Sequence, residues 1–340
     1  MNEVKVAIVG VGKRGLAHLQ VFSRISVVEI VGVFDININR SKSISKEWGI
    51  KAYSSYEEVL RDPCVDSVVI ATPDPTHAEL TIKALRVGKN VLCEIPMAYT
   101  YDEVKEIVKA VESSERIYLL GQEVRYWPIF RKVKELVKEG LLGDIFYAET
   151  EYLHNIEDLI RMTPWRRNQT TMLGGGPHAV DILQWILGDL IEVFAYSAKT
   201  IKTQLVEDFT VALYKSNEGA IGRVVVAYGI KRPYSLSIRV YGTKGSFEQD
   251  TYPWSRKSGT IFKEPDFNKG KKLVVGEEKV PVEVHGAADY LQALNFIRSI
   301  LGLEKPLINV YEAAKLTNAC IAALESSVKG KPVRIPKIEV

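Results

Sequence analysis

Cysteine is scarce, with only Cys64, Cys93 and Cys320 in 340 residues. They are odd in number, far apart and in no metal or redox spacing. This excludes a disulfide scaffold and a zinc module, and it reads as buried apolar thiols in a reducing cytosol; no metal is expected. An excess of one charge is also lacking, because 45 Lys and Arg against 42 Asp and Glu leave +3 with no long runs. Nucleic-acid and membrane-surface binders need a concentrated basic field, so neither partner is expected. No apolar run reaches the roughly 20 residues that span a bilayer. Met1-Asn2-Glu3-Val4-Lys5 leads straight into a strand pattern without a signal-peptide apolar region, so a cytoplasmic protein is expected. Internal repeats and low-complexity tracts are absent.

What is present is an ordinary globular composition, 46% apolar and 26% charged. The length suits about two domains. Up to residue 121, short β-branched runs alternate with helical patterns. Strands are expected at Val4–Val9, Val28–Phe34, Ser67–Ala71, Asn90–Cys93 and Ile117–Leu120. Most are continuous apolar runs, the sign of parallel strands covered on both faces. Helices are expected near Arg14–Ile25, Arg40–Trp48, Pro75–Val87 and Tyr101–Ser113. The last places Val104, Ile107, Val108 and Val111 on one face. This alternation implies an α/β fold with a doubly wound parallel Rossmann sheet.

From residue 122 to 340 the pattern is α+β, with a large, mostly antiparallel open sheet. A helix over Pro128–Glu139 and a strand over Gly143–Leu153 precede an irregular polar stretch to Thr171. The turn Gly174-Gly175-Gly176-Pro177 then feeds a helix to Leu187. Four strand-like runs follow at Ile191–Ile201, Leu205–Lys215, Ala220–Ile230 and Tyr234–Gln249, joined by hairpin-type turns. Residues 252–282 read as an exposed excursion. Helices over Ala287–Leu301 and Val310–Val328 close the chain, and the C-terminal one is expected to pack back toward the first domain. Both alternating sets of Ala220–Ile230 are largely apolar, so the second face of that sheet is expected to meet a partner in a homodimer or homotetramer.

Gly10-Val11-Gly12-Lys13-Arg14-Gly15 follows the first strand and opens the first helix. In that setting the glycines allow a tight turn, backbone approach to a pyrophosphate and close helix–strand packing. The helix N-terminus offers N–H groups to the phosphates. Asp35 ends the second strand, where a carboxylate accepts from ribose hydroxyls and repels a 2′-phosphate. NAD is therefore expected over NADP, although Lys13, Arg14 and Arg40, also counted with the cofactor site, would tolerate a phosphate.

Several segments together resemble the glucose–fructose oxidoreductase/inositol dehydrogenase/rhizopine-catabolism (Gfo/Idh/MocA) family. They are the glycine fingerprint, Ala71-Thr72-Pro73-Asp74-Pro75-Thr76-His77, Cys93-Glu94-Ile95-Pro96, Gly174-Gly175-Gly176-Pro177-His178-Ala179-Val180-Asp181, Tyr241–Glu248 and Ala314–Pro332. The resemblance covers essentially the whole chain. It implies a Rossmann domain, a second domain with an open mixed sheet, and NAD(P)-dependent chemistry on sugars or cyclitols. It places Thr72, Pro73, Asp74 and His77 beside the nicotinamide half of the cofactor, with a core or helix-start histidine as the other reading of His77. Glu94 and Pro96 match the outer letters of the family's Glu-Lys-Pro motif, and Ile95 stands where the family has lysine. His178 and Asp181 match its His-x-x-Asp, while Gly174 stands where the family usually has an aspartate.

Oxidising an alcohol requires a base of suitable pKa within hydrogen-bond reach of the hydroxyl. Isoleucine cannot serve, so His178 is the expected base. Asp181, one turn on, is expected either to orient the ring or to favour the helix dipole. Tyr152, His154, Trp165 and Arg166 gather the aromatic and planar donor groups that bind sugars, and Arg125 is a weaker candidate of the same kind. The expected function is NAD-dependent oxidation or reduction at a secondary alcohol of a sugar, polyol or sugar acid. The alternatives are an NAD-cycling glycoside hydrolase or lyase and a catalytically silent NAD-binding sensor.

Overall fold

A computed structural model describes residues 3–202, 204–249, 259–263 and 286–338. They fall into two compact units, 3–123 with 286–317 and 124–263 with 318–338.

In the first unit the chain runs β1 (Val4–Val9), α1 (Lys13–Phe22), β2 (Val28–Phe34), α2 (Ile38–Trp48), β3 (Lys51–Ala52), α3 (Tyr56–Arg61), β4 (Ser67–Ile70), α4 (His77–Arg86), β5 (Asn90–Glu94), α5 (Tyr101–Ser114) and β6 (Tyr118–Gly121). The strands form one parallel sheet in the order β3-β2-β1-β4-β5-β6. Val6, Ile8, Val69, Leu92 and Leu119 are fully buried, as continuous apolar strands require. Local chemistry sets the helix ends. Thr100 and Glu103 form a reciprocal capping box on α5, and α2 stops at Gly49 with φ +68°. The short elements β3 and α3 lie outside the sequence expectation. Cys64 is exposed rather than buried, because it sits in the turn after α3, where its amide donates to Asp62.

The second unit contains α6 (Pro128–Lys138), β7 (Ile145–Leu153), α7 (Glu157–Met162), α8 (Thr171–Gly174), α9 (Gly176–Leu187), β8 (Leu190–Ala198), β9 (Phe209–Ser216), β10 (Ile221–Ala227), β11 (Ser235–Gly242), β12 (Gly245–Gln249) and β13 (Gly259–Lys263). Beyond these lie α10 (Gly286–Ile300), α11 (Val310–Lys329) and β14 (Val333–Arg334). The second sheet has the order β13-β12-β11-β7-β10-β9-β8-β14 among the described residues. Only β7 and β10 pair in parallel there. The stretch read as irregular up to Thr171 contains α7 and the 3-10 turn Pro164–Asn168. The glycine run is helical rather than a loop, since α8 ends at Gly174 and α9 starts at Gly176. Within the expected excursion at 252–282, residues 259–263 form an edge strand on β12, and the rest lies outside the described residues.

The sequence division at residue 121 puts both closing helices in the second domain. In the structure α10 belongs to the first unit, where Ala293, Phe296 and Ile297 join the core of Leu19 and Phe22. The Phe22 and Phe296 rings meet edge to face at 6.3 Å. Residues of α11 up to Thr317 count with the first unit and the remainder with the second.

Candidate active site

The glycine loop of the first unit is forced in two places and open in one. A Cβ on Gly10, whose φ is +86°, would lie 2.7 Å from the Ala71 carbonyl oxygen, and one on Gly15 would lie 1.8 Å from that of Gly10. A Cβ on Gly12, the N-cap of α1, would meet nothing within 4 Å. The chain is thus pinched where helix meets strand and clear where phosphate oxygens would approach N–H donors. Asp35 is buried, and its carboxylate fixes the loop. Oδ2 accepts from the Val11 amide at 3.0 Å and from Arg40 at 3.3 Å, and Oδ1 from the Asn37 amide at 2.8 Å. These residues fit a dinucleotide.

Two expected cofactor ligands are committed elsewhere. Arg14 donates to Glu94 at 2.7 Å and to Asp289 at 2.9 Å, with Glu123 3.8 Å away. It is therefore clamped among carboxylates, while Lys13 beside it is exposed. Glu94 in turn is held by Arg14 and by His18, whose Nε2 is 2.5 Å from the same oxygen. Burial alone would raise the Glu94 carboxyl, but Arg14 and His18 override it and hold it at about 2. Sequence reasoning missed His18. The available signal was its position four residues after Arg14, on the same helix face.

His77 is a core histidine, 1% exposed. Its Nδ1 lies 2.8 Å from the Pro96 carbonyl oxygen and its Nε2 2.9 Å from that of Thr72. Carbonyls only accept, so both ring nitrogens donate and the ring is cationic. Burial alone would lower its pKa; Cys93, Asp74 and the Pro96 carbonyl push it up to about 10. His77 therefore ties the Thr72–Thr76 turn to the segment after β5. Asp74 is buried in that turn, Thr72 is half-buried with its hydroxyl 2.7 Å from that of Thr76, and Pro73 is exposed. Ile95 is half-buried and precedes a cis peptide bond to Pro96.

In the second unit an aromatic cluster surrounds His178, the third residue of α9. Its half-buried ring stacks on Tyr152 at 5.6 Å and 15°. The Tyr152 hydroxyl is 3.1 Å from His154 Nδ1, and the Tyr234 ring meets His154 at 5.1 Å and Tyr152 at 5.4 Å. Burial, with the charges of Arg166 and His178, lowers the His154 pKa below the ordinary histidine value. Two glycines make this packing possible. A Cβ on Gly174 would lie 2.0 Å from the Tyr228 hydroxyl, and one on Gly175 would lie 2.4 Å from the Tyr152 ring. The Tyr228 hydroxyl accepts from the Gly175 amide at 2.6 Å. Tyr228 and Tyr234 were not expected at the site, because the connection between β10 and β11 that carries them reaches it through tertiary packing, which leaves no local pattern. Trp165 and Arg166 stack on each other at 4.4 Å in the 3-10 turn.

Arg125 is 2% exposed and Asp181 is fully buried. Arg125 Nε donates to both Asp181 oxygens at 3.0 and 2.9 Å, and Nη2 donates to Oδ1 at 2.6 Å. The guanidinium also lies 5.3 Å from the Trp185 ring centroid. The structure thus pairs Arg125, expected as a substrate contact, with Asp181, expected to orient the His178 ring or to favour the helix dipole, as a buried ion pair.

Residues 4–122 match the family model described as "Oxidoreductase family, NAD-binding Rossmann fold", and residues 130–248 match the "GFO/IDH/MocA C-terminal domain". The chain is 25% identical over 352 residues to an inositol 2-dehydrogenase of Rubrobacter xylanophilus, covering 99% of this chain and 95% of that one. It is 25% identical over 368 residues to a glycosyl hydrolase family 109 protein of Shewanella sp. (strain ANA-3), covering 92% and 80%. Its fold superposes on a levoglucosan dehydrogenase solved with NADH and levoglucosan, with a TM-score of 0.89, 20% identity and coverage of 99% and 100%.

Proposed function

The chain belongs to the Gfo/Idh/MocA family of NAD-binding oxidoreductases, and from that premise we propose that it oxidises a secondary alcohol of a sugar, polyol or sugar acid with His178 as the base. Bound NAD supplies the acceptor for the hydrogen that leaves the carbinol carbon with its electron pair. The chain's own residues do the rest. Gly12 and the N-terminus of α1 receive the pyrophosphate, and Asp35 the adenosine ribose. His178 takes the hydroxyl proton, Tyr152 fixes the plane of that imidazole, and Tyr234, Trp165 and Arg166 offer the faces and donors that suit a sugar. The observation that carries this reading is the His178 ring, half-buried and stacked on Tyr152 at 5.6 Å, in a chain with isoleucine at position 95. Incubation with NAD and a panel of sugars, sugar acids and glycosides tests it: net NADH formation is expected, and product without NADH, or no product, contradicts it.

A second reading is a glycosidase that reduces and reoxidises its cofactor within each turnover. The 25% identity to a family 109 glycosyl hydrolase over 92% of this chain favours it, and product without net NADH on a glycoside is its signature.

We also propose that NAD binds more tightly than NADP, because the Asp35 carboxylate repels a 2′-phosphate, and that copies of the chain associate through the face of the second sheet carrying Val225 and Ala227. That face is not uniformly apolar, since Arg223 and Arg239 form ion pairs with Glu149 and Glu151 on it. Leu213 and Tyr196 remain 47% and 67% exposed along β9 and β8.

A further inference from the structure

Several guanidiniums withdrawn from solvent among the described residues face a carboxylate. Arg14, Arg125, Arg223 and Arg239 each do so within 3 Å. Arg166 differs from these four. It is half-buried, its Nη1 donates at 2.8 Å to the neutral Gln169 Oε1, and no carboxylate pairs with it among the described residues. Its Nε is buried and donates to nothing there. Burying a cation with neither counterion nor full hydrogen bonding is costly, so such a group is suited to a ligand that supplies both.

Among the described residues, carboxylates of this unit have other partners. Asp181 is spent on Arg125, and the Glu207 side chain accepts from the amide and hydroxyl of Thr171 while burial raises its pKa. Glu157 pairs with Lys231. A side chain at position 174 would begin 3.0 Å from Gln169 Oε1, the atom that holds Arg166, yet glycine stands there and the Tyr228 hydroxyl fills the space. The charge of Arg166 acts on His154, whose ring is 5.9 Å from that of Tyr152, so the guanidinium belongs to the His178 cluster. Trp165 under the guanidinium fixes its plane, and the edge carrying Nε has the two-donor geometry that matches paired oxygens.

We propose that Arg166, positioned by Trp165 and Gln169, binds an anionic substituent of the substrate, so that the sugar is a sugar acid or a sugar phosphate rather than a neutral sugar or polyol. This rests on the reading of the His178 cluster as the sugar-binding site. The test is calorimetric titration of the NAD-saturated protein with D-glucose, D-glucuronate and D-glucose 6-phosphate, and with D-galactose and D-galacturonate. At least one anionic member should bind roughly 10- to 100-fold more tightly than its neutral partner, the worth of a charge-assisted hydrogen bond. The uronate and phosphate arms tell the two anions apart. Arg166→Gln should abolish the preference, weakening the anionic sugar far more than its neutral partner and leaving NAD affinity unchanged, and Arg166→Lys, which keeps the charge without the fork, should retain part of the preference. Equal binding within each pair, a preference that survives Arg166→Gln, or no binding of any anionic probe overturns the proposal. An intact anion preference without net NADH would instead refute the oxidation reading alone.

Discussion

The position of His178 at a helix start was legible from the sequence, because Pro177 and the glycines mark the start of α9. What surrounds it was only half legible: Tyr152 and His154 stand out as residue types, whereas Tyr228 and Tyr234 arrive from the connection between β10 and β11. The pairing of Arg125 with Asp181 was not legible either, since it joins residues 56 apart through tertiary packing alone. His178→Asn should lower turnover roughly 10²- to 10⁴-fold, the cost of losing a positioned base, with NAD affinity nearly unchanged. Wild-type turnover in that variant would remove His178 from the reaction. Asp181→Asn strands a buried guanidinium and should destabilise the protein by about 3–5 kcal/mol in urea unfolding. A loss within experimental error would show that the pair is not the anchor it is taken for. Gly175→Ala puts a methyl 2.4 Å from the Tyr152 ring and should impair turnover more than NAD binding.

At the scale of elements, the parallel strands announce themselves as apolar runs, and α5 by its repeat. The stretch from 154 to 171 did not, because α7 and the 3-10 turn are too short to show a period. Two buried charged groups have a protonation that reports on folding: Glu94 at the end of β5, held by Arg14 and His18 of α1, and His77, which ties the turn before α4 to the segment after β5. Glu94 titrates at about 2 in the folded chain against about 4.3 when unfolded. Its folded pKa is depressed, so its contribution is present above about pH 4.3 and fades as pH falls toward about 2. His77 titrates at about 10 against about 6.5 unfolded, so its contribution is complete below about pH 6.5 and lost as pH rises to about 10. Denaturant unfolding across pH should therefore show that Glu94→Gln flattens the acid limb and His77→Gln the alkaline one. Unchanged limbs would mean that neither group is held as described.

For the whole molecule, the sequence shows two domains and their order, but not the return of α10 to the first unit. That return depends on Phe296 finding Phe22, a contact between residues far apart in the chain. The same limit applies to assembly. Light scattering should give a mass of at least twice 38.1 kDa, and a monomer mass at micromolar concentration would contradict association through the second sheet. For the cofactor, Asp35→Ser should narrow the preference for NAD over NADP, and a wild-type NADP dissociation constant equal to or below that of NAD would contradict the preference itself. The central claim is that this chain oxidises a carbinol carbon at the expense of NAD. Its most direct test uses carbinol-deuterated sugars and sugar acids with NAD, reading deuterium in the released cofactor by mass spectrometry. The account predicts labelled NADH accumulating in step with ketone, slowed by the heavy isotope and lost in His178→Asn. Deuterium that stays with the sugar product, with no labelled NADH released, would contradict it.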